Sequence, residues 1–263
     1  MNSITIDKLR RFNLIMGAIH LVQAVLMFIL AFTVIQTISE FTPTITQLYL
    51  EFDPQEGQLV SATRDLFELP FGVFVALFLF ISAVAHALIS IPEKTYSIYK
   101  KDLEQGINKF RWFEYALSSS IMIVLIATLF GIYDIASLLL IFFLNASMNL
   151  FGLLMEQLNA GKEKKGIKWG PFIYGSIAGI IPWIVILMYM FGTGEFDMIP
   201  WFVWAIVITY FIAFNTFPVN MLLQYKGVGK WRNYLYGEKV YIILSLVAKT
   251  ILAWLVLFGA MQP

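Results

Sequence analysis

One lysine stands where lysines are costly. In Leu244-Ser-Leu-Val-Ala-Lys249-Thr-Ile-Leu252 the charge falls near the middle of a long apolar run. A charged ammonium at the centre of a membrane span costs about 2.5–3.5 kcal/mol on insertion scales. Such a residue must be neutral, ion-paired or chemically modified. A desolvated amine is also the group that condenses with an aldehyde to give an imine. On this residue alone, a structural ion pair and an imine-forming amine both stay open. Glu114, in Arg111-Trp-Phe-Glu114-Tyr115, is the second charge set inside an apolar run. A buried carboxylate needs an opposite charge within about 4–6 Å. Lys249 is its natural partner, with Arg111, three residues earlier on the same helix, as the alternative. The two lie about five and about ten residues from the same edge. At 1.5 Å rise that is a depth difference of about 7 Å, which a lysine side chain bridges.

Other polar residues gather at this depth. His20 and Gln23 fall on the first apolar run, Ser82 and His86 on the second, and Ser118, Ser119 and Ser120 follow Glu114. Asn145 and Asn149 lie on the fourth run, and Ser245 precedes Lys249 by four residues, on one helix face. Each histidine alone fits ordinary helix packing. Both histidines at the depth of the acid–lysine pair point to proton handling. The opposite halves of the runs are apolar, as in Leu26-Met-Phe-Ile-Leu30 and Ile251-Leu-Ala-Trp-Leu255. A proton leaving a lysine-linked base therefore has a place to wait on one side and no evident exit on the other. That suits a sensor better than a pump. Trp183, Phe214, Phe217, Trp254, Met148 and Tyr115 could sandwich a long apolar ligand, or simply pack between helices. Pro182 and Pro218 can kink two runs and open space between them. No Gly-rich phosphate loop, metal-spaced histidine pair or Ser-His-Asp arrangement is present, so the chain does not read as an enzyme and no metal is expected.

The elements that must hold these residues follow from composition. Of 263 residues, 59% are apolar and 13% charged, and mean hydropathy is +0.77. A soluble domain is nearer about 45–50% apolar and about 25% charged. The net charge of +1 excludes a nucleic-acid-coating protein, and there is no cysteine for a disulfide or thiolate. About 155 apolar positions would fill about seven spans of roughly 20–22 residues. They fall at about 12–35, 70–92, 110–130, 135–156, 170–191, 200–224 and 239–260. This predicts an all-α membrane protein, a seven-transmembrane helix bundle forming one domain over residues 1–263. The first run is too long for a signal peptide and is read as a retained span.

Lysines and arginines set the expected orientation. Sixteen of the eighteen fall in the N-terminal segment and in the second, fourth and sixth connectors, for instance Arg10, Lys100, Lys164, Lys165 and Lys230. The first, third and fifth connectors hold Arg64 alone against nine acids, among them Glu40, Asp134, Glu195 and Asp197. The N-terminus is expected inside the cell and the C-terminus outside, in a multi-pass cell-membrane protein. Between the first two spans, residues 36–69 form a long outer connector. Thr44 to Phe52 reads as a strand, Asp53-Pro-Gln-Glu-Gly57 as a turn and Gln58 to Thr63 as a returning strand. A loose acidic loop is the alternative. As a lone hairpin is marginal in water, it should pack on the helix ends or pair with a second copy.

Seven spans with a lysine in the middle of the seventh and a carboxylate in the third resemble the retinal-binding rhodopsins. The inner N-terminus, the β-like first connector, Glu114-Tyr115 with its serines, Ser245-Leu-Val-Ala-Lys249, and His20 and His86 together resemble the heliorhodopsins. The likeness covers essentially the whole chain. It implies all-trans retinal held covalently on Lys249 as a protonated Schiff base, with Glu114 as counterion. Ser119 and Ser245 would hydrogen-bond around that pair. His20, Gln23, Ser82 and His86 would line an inner proton cavity. Asn145, Met148, Tyr115, Phe214, Trp183 and Trp254 would surround the chromophore. It further implies a homodimer in the lipid bilayer and leaves a cytoplasmic signalling partner open. Pumping rhodopsins carry a second acid where this chain has Ser245 and a donor acid where it has Leu125. Phe214-Asn-Thr-Phe-Pro218 replaces their span-six tryptophan. A non-pumping photoreceptor with a slow sensory cycle is the expectation. A light-gated ion or proton conductance, and a retinal-free transporter using the Lys249–Glu114 pair, are the rivals.

Overall fold

A computed structural model of the chain describes residues 4–33, 42–162, 166–192, 194 and 201–259. Eight helices and one hairpin follow in the order α1 (Ile6–Thr33), β1 (Thr44–Asp53), β2 (Gln58–Glu68), α2 (Phe71–Leu88) and α3 (Glu93–Glu104). Then come α4 (Lys109–Leu129), α5 (Ile135–Asn159), α6 (Gly170–Met190), α7 (Trp201–Lys226) and α8 (Tyr234–Gly259), with a 3₁₀ turn at Gly229–Arg232 before α8. Among the described residues, six helices are long and apolar enough to cross a membrane: α1, α2, α4, α5, α6 and α7. The seventh expected span is α8, whose Ile242 to Gly259 stretch is apolar apart from Ser245, Lys249 and Thr250. Of the residues assigned above to connectors, Glu40, Lys164, Lys165, Glu195 and Asp197 lie outside the described residues.

Three helix starts are fixed by side-chain caps, which satisfy amide groups left open in a first turn. The Thr5 hydroxyl accepts the Lys8 N–H at 3.3 Å, Asn108 caps α4 through the Arg111 N–H, and Asp134 caps α5 through the Ser137 N–H at 2.9 Å. Helices adjacent in sequence pack side by side. The series α1, α2, α4, α5, α6 is contiguous, and α8 closes the bundle against α1, α2, α4 and α7. Helices α6 and α7 meet through rings, with Trp183 5.4 Å from Phe211 and 5.5 Å from Phe214. Gly17 brings α1 and α2 together, because a Cβ there would come within 2.8 Å of the His86 Cβ.

The hairpin is longer than its sequence pattern indicated. Strand β2 runs on to Glu68, pairing Thr44 with Glu68 and Asp53 with Gln58 around a register shift at Ile45/Thr46. The Asp53 carboxylate accepts the Gln55 and Glu56 N–H groups at 2.7 and 3.3 Å, and Gly57 supplies the positive φ of 66° that closes the turn. Packing on the helix ends, as anticipated, comes through one carboxylate. Asp134 accepts the Leu48 N–H at 3.2 Å while capping α5, and the Thr46 N–H reaches Tyr133 O at 3.0 Å. Partial burial opposes the Asp134 charge, yet the amides of Ser137 and Leu48 hold its carboxyl below the usual range.

At the other end α3 lies across the bundle as a short amphipathic helix, with Tyr96, Tyr99 and Leu103 buried. The Tyr96 hydroxyl donates to Asp7 at 2.7 Å, and burial together with that carboxylate pushes its phenol up to about 12. The interior is layered between these ends. The hairpin half is apolar and mainly aliphatic, built on Val75, Leu79, Ile123, Leu125, Ile126 and Leu252, with the rings of Phe71, Phe78, Trp183 and Tyr210 among them. The α3 half holds two aromatic clusters, one around Trp112, Tyr115 and Tyr241 and one around Tyr96 and Tyr99. Apart from Thr128, whose hydroxyl donates to Leu125 O, the buried polar and charged residues lie in the middle and on the α3 side.

Candidate functional site

Lys249 projects from α8 into the polar middle layer and is 3% exposed. Its ammonium forms an ion pair with Glu114 of α4 and donates to the Ser82 hydroxyl of α2 at 2.5 Å. Ser82 in turn donates to Glu114 at 2.7 Å, so three helices meet in one triangle of polar atoms. The Tyr115 ring centroid lies 5.3 Å from the ammonium, a cation–π contact on a further side. Sealed from water, this pair is neutral as a unit, which is how a bilayer tolerates its two charges.

On the α3 side the histidines adjoin the pair. His20 and His86 stack at 5.6 Å and 15°, and His86 Nδ1 lies 2.8 Å from the Asn13 amide oxygen. Neither ring nitrogen of His20 has a hydrogen-bond partner among the described residues. Gln23 is turned to α8, where it accepts from Thr250 at 3.0 Å. A small cavity of about 40 Å³ connects Ser82, His86, Glu114 and Ser245 to Asn13 and Arg111. Thus Ser82, His20 and His86 come together with the ion pair, and Gln23 lies at their edge.

On the opposite flank of Lys249 a larger cavity of about 170 Å³ extends between α4, α5, α6 and α7. Its walls include Tyr115, Met148, Trp183, Phe214, Phe217 and Lys249. Gly152 and Gly179 allow these walls, because a Cβ on either would run into the Trp112 ring or the Met148 sulfur. The cavity is largely apolar, with one amine in its lining. A rod-like apolar aldehyde matches that donor set. Trp254 packs with the aliphatic core instead of lining the cavity. Ser119 touches the cavity, but its hydroxyl donates to Tyr115 O and accepts from Asn145 and Asn149 at 2.8 and 3.0 Å. Asn145 is buried behind it, bonded also to Ser120. The hydroxyl that bridges Lys249 and Glu114 is that of Ser82.

A second buried ionic cluster was not anticipated. Arg111 forms ion pairs with Glu156 of α5 and Glu238 of α8. Glu156 also accepts from the Trp112 indole at 2.7 Å and the Asn108 N–H at 2.9 Å, while the Asn108 amide donates to Glu238 at 2.7 Å. The guanidinium stacks 4.0 Å from the Tyr241 centroid. Arg111 therefore turns away from Glu114, which leaves Lys249 as the partner of that carboxylate. The available signal was sign: Glu156 and Glu238 are acids beside connectors that are predominantly basic.

Fold and site together define a class: a helical membrane bundle with a buried lysine–carboxylate pair whose lysine lines a largely apolar cavity. Within it, this chain belongs to the heliorhodopsin family, whose model matches residues 9–261, nearly the whole length. No curated protein matches the chain. Membership makes it a rhodopsin-like light-sensing membrane protein, with retinal as the chromophore general to rhodopsins.

Proposed function

We propose that the chain is a non-pumping photoreceptor in which all-trans retinal is attached to Lys249 with Glu114 as its counterion. The observation that carries this is the position of the Lys249 amine, between an apolar cavity on one flank and the Glu114 carboxylate on the other. When bound, retinal supplies a light-driven change of shape at the lysine nitrogen. Trp183, Phe214, Phe217 and Met148 hold it in line and keep water out. Glu114 and Ser82 fix the charge at the nitrogen. His86, Asn13 and His20 form the reservoir that takes a proton and returns it.

Several further observations support the sensory reading. The core of the hairpin half is apolar and holds no carboxylate among the described residues, which supports retention of a proton on the other side. Retention and return of charge, with a slow cycle, follow. The basic connectors support a cytoplasmic α3 end, where a signalling partner would bind, and hence an inner N-terminus and an outer hairpin. Leu48, Leu50, Phe52 and Leu59 are each about 60% exposed on the hairpin, which supports a homodimer formed there. The whole chain then acts as one retinal-binding domain.

Adding all-trans retinal to the expressed protein should produce a visible absorption band, and Lys249→Ala should abolish it. A wild type without colour, or a coloured Lys249→Ala, would refute the attachment and favour a retinal-free transporter. A sustained photocurrent in the wild type would favour a light-gated conductance.

A further inference from the structure

We propose that the lipid-facing groove between α7 and α8 is a binding site for one anionic phospholipid. The groove has a volume of about 410 Å³ and is lined by Phe211, Ile212, Val219, Leu223, Val240 and Leu244, with Trp231 at one end. Its polar side chains are turned onto the protein. Asn215 donates to Phe211 O at 2.7 Å, Thr216 to Ala213 O at 2.6 Å, and Asn220 to Gly237 O at 3.2 Å while accepting the Trp231 indole N–H at 2.7 Å. What remains facing outward is hydrocarbon: Ile212 is 59% and Val219 52% exposed. From Phe211 to Leu223 the helix rises about 18 Å, close to the about 15 Å depth of one leaflet's hydrocarbon.

The end marked by Trp231 carries the charge. There the chain turns through Gly227 and Gly229, both at positive φ, and exposes Lys226, Lys230 and Arg232. The only acid from Lys226 to Lys239 is Glu238, which is buried against Arg111. At the same end of the bundle Arg10 pairs with Glu93 and Lys109 with Asp102. Among the described residues no ion pair involves the three cations of this turn, and Lys239 lies away from them, 5.6 Å from the Phe12 ring centroid. An apolar slot one leaflet deep, with an indole at the interface and three cations beyond it, matches one acyl chain below an anionic headgroup. A free anion would use the cations and leave the slot without purpose.

The test is lipid retention by the full chain reconstituted in mixed phosphatidylcholine and phosphatidylglycerol bilayers, then re-extracted and read by native mass spectrometry. The wild type should retain one phosphatidylglycerol over phosphatidylcholine. Retention should fall about fivefold in each of Lys226→Gln, Lys230→Gln and Arg232→Gln, and further in the triple variant. Val219→Trp, which fills the slot and keeps every charge, should lose it too. Lys94→Gln/Lys100→Gln/Lys101→Gln, basic residues elsewhere at that end, should retain it. Unchanged thermal midpoints in detergent keep misfolding out of the comparison. Full retention by the triple variant or by Val219→Trp would overturn the site. So would equal loss in the Lys94/Lys100/Lys101 variant, or displacement by inorganic phosphate beyond that caused by potassium chloride of equal ionic strength.

Discussion

The Lys249 pair and the Arg111 cluster are both buried, and both link α4 to α8, yet they are assembled differently. Lys249 meets one carboxylate and one hydroxyl, and the pair is neutral. Arg111 meets two carboxylates, which are further held by Trp112, Asn108 and Tyr234, and the cluster carries one excess negative charge. A guanidinium is a rigid fork that suits two carboxylates and stacks on Tyr241. An ammonium on a flexible stem has donors to spare and opens onto a cavity. Lysine thus stands where a covalent partner can be accommodated, and arginine where three helices must be held in register.

The largest expected effect tests the holding role. Arg111→Met leaves Glu156 and Glu238 buried without a cation, a loss of about 3–5 kcal/mol. Thermal unfolding of the variant should show it, while whatever fraction folds should bind retinal with the absorption band in its wild-type place. Glu114→Gln should displace the band, because it takes the carboxylate charge from beside Lys249. If Arg111→Met moves the band as far as Glu114→Gln does, the two clusters act as one and the distinction fails.

Ser82→Ala is smaller and separates pairing from positioning. It removes the hydroxyl that bridges Lys249 and Glu114 but neither charge. A hydrogen bond to a charged group contributes about 1.5–3 kcal/mol, so unfolding should shift by that order or less. A band displaced in Ser82→Ala and unmoved in Ser119→Ala would match the hydrogen bonding, since Ser119 is committed to Asn145 and Asn149. The opposite pattern would return Ser119 to the ion pair.

Legibility in the sequence tracked contrast with the background. A lysine among Leu, Val and Ile stands out by cost alone, as does Glu114 in its run. The seven apolar stretches were equally plain, although α1 begins at Ile6, because its first turns carry Asp7, Lys8 and Arg10 at a bundle end. Arg111, Glu156 and Glu238 did not stand out, because charges at span ends look solvated until α3 and its neighbours cover them. The serines were less legible: Ser119 was expected beside the pair and Ser82 in the proton cavity, whereas Ser82 is the one bonded to Lys249 and Glu114. Which of two serines reaches a carboxylate depends on helix rotation of a few tens of degrees, and apolar periodicity is a blunt measure of that in a bundle surrounded by lipid. Trp254 illustrates the same limit, facing the aliphatic core and not the cavity.

The smallest effect concerns a carboxylate at the water-facing margin, and it gives the scale for the two buried clusters. Asp134 caps α5 through Ser137 and ties β1 to the bundle through Leu48. Loss of a helix cap costs about 1 kcal/mol, so Asp134→Ala should be less stable than wild type by that order near neutral pH. The folded protein holds this carboxyl below its ordinary value. Its contribution is therefore complete above the unfolded value of about 3.9 and is lost as pH falls through the lower folded value. Measured by thermal unfolding across acidic pH, the gap between wild type and Asp134→Ala should narrow as the solution is acidified. Asp134→Asn, which keeps one acceptor oxygen and so can serve one of the two amides, should recover part of the gap and show little of its pH dependence. A gap that stays constant with pH would mean that Asp134 acts through shape and not through its charge. The margin would then no longer serve as the exposed reference against which the two buried clusters are compared.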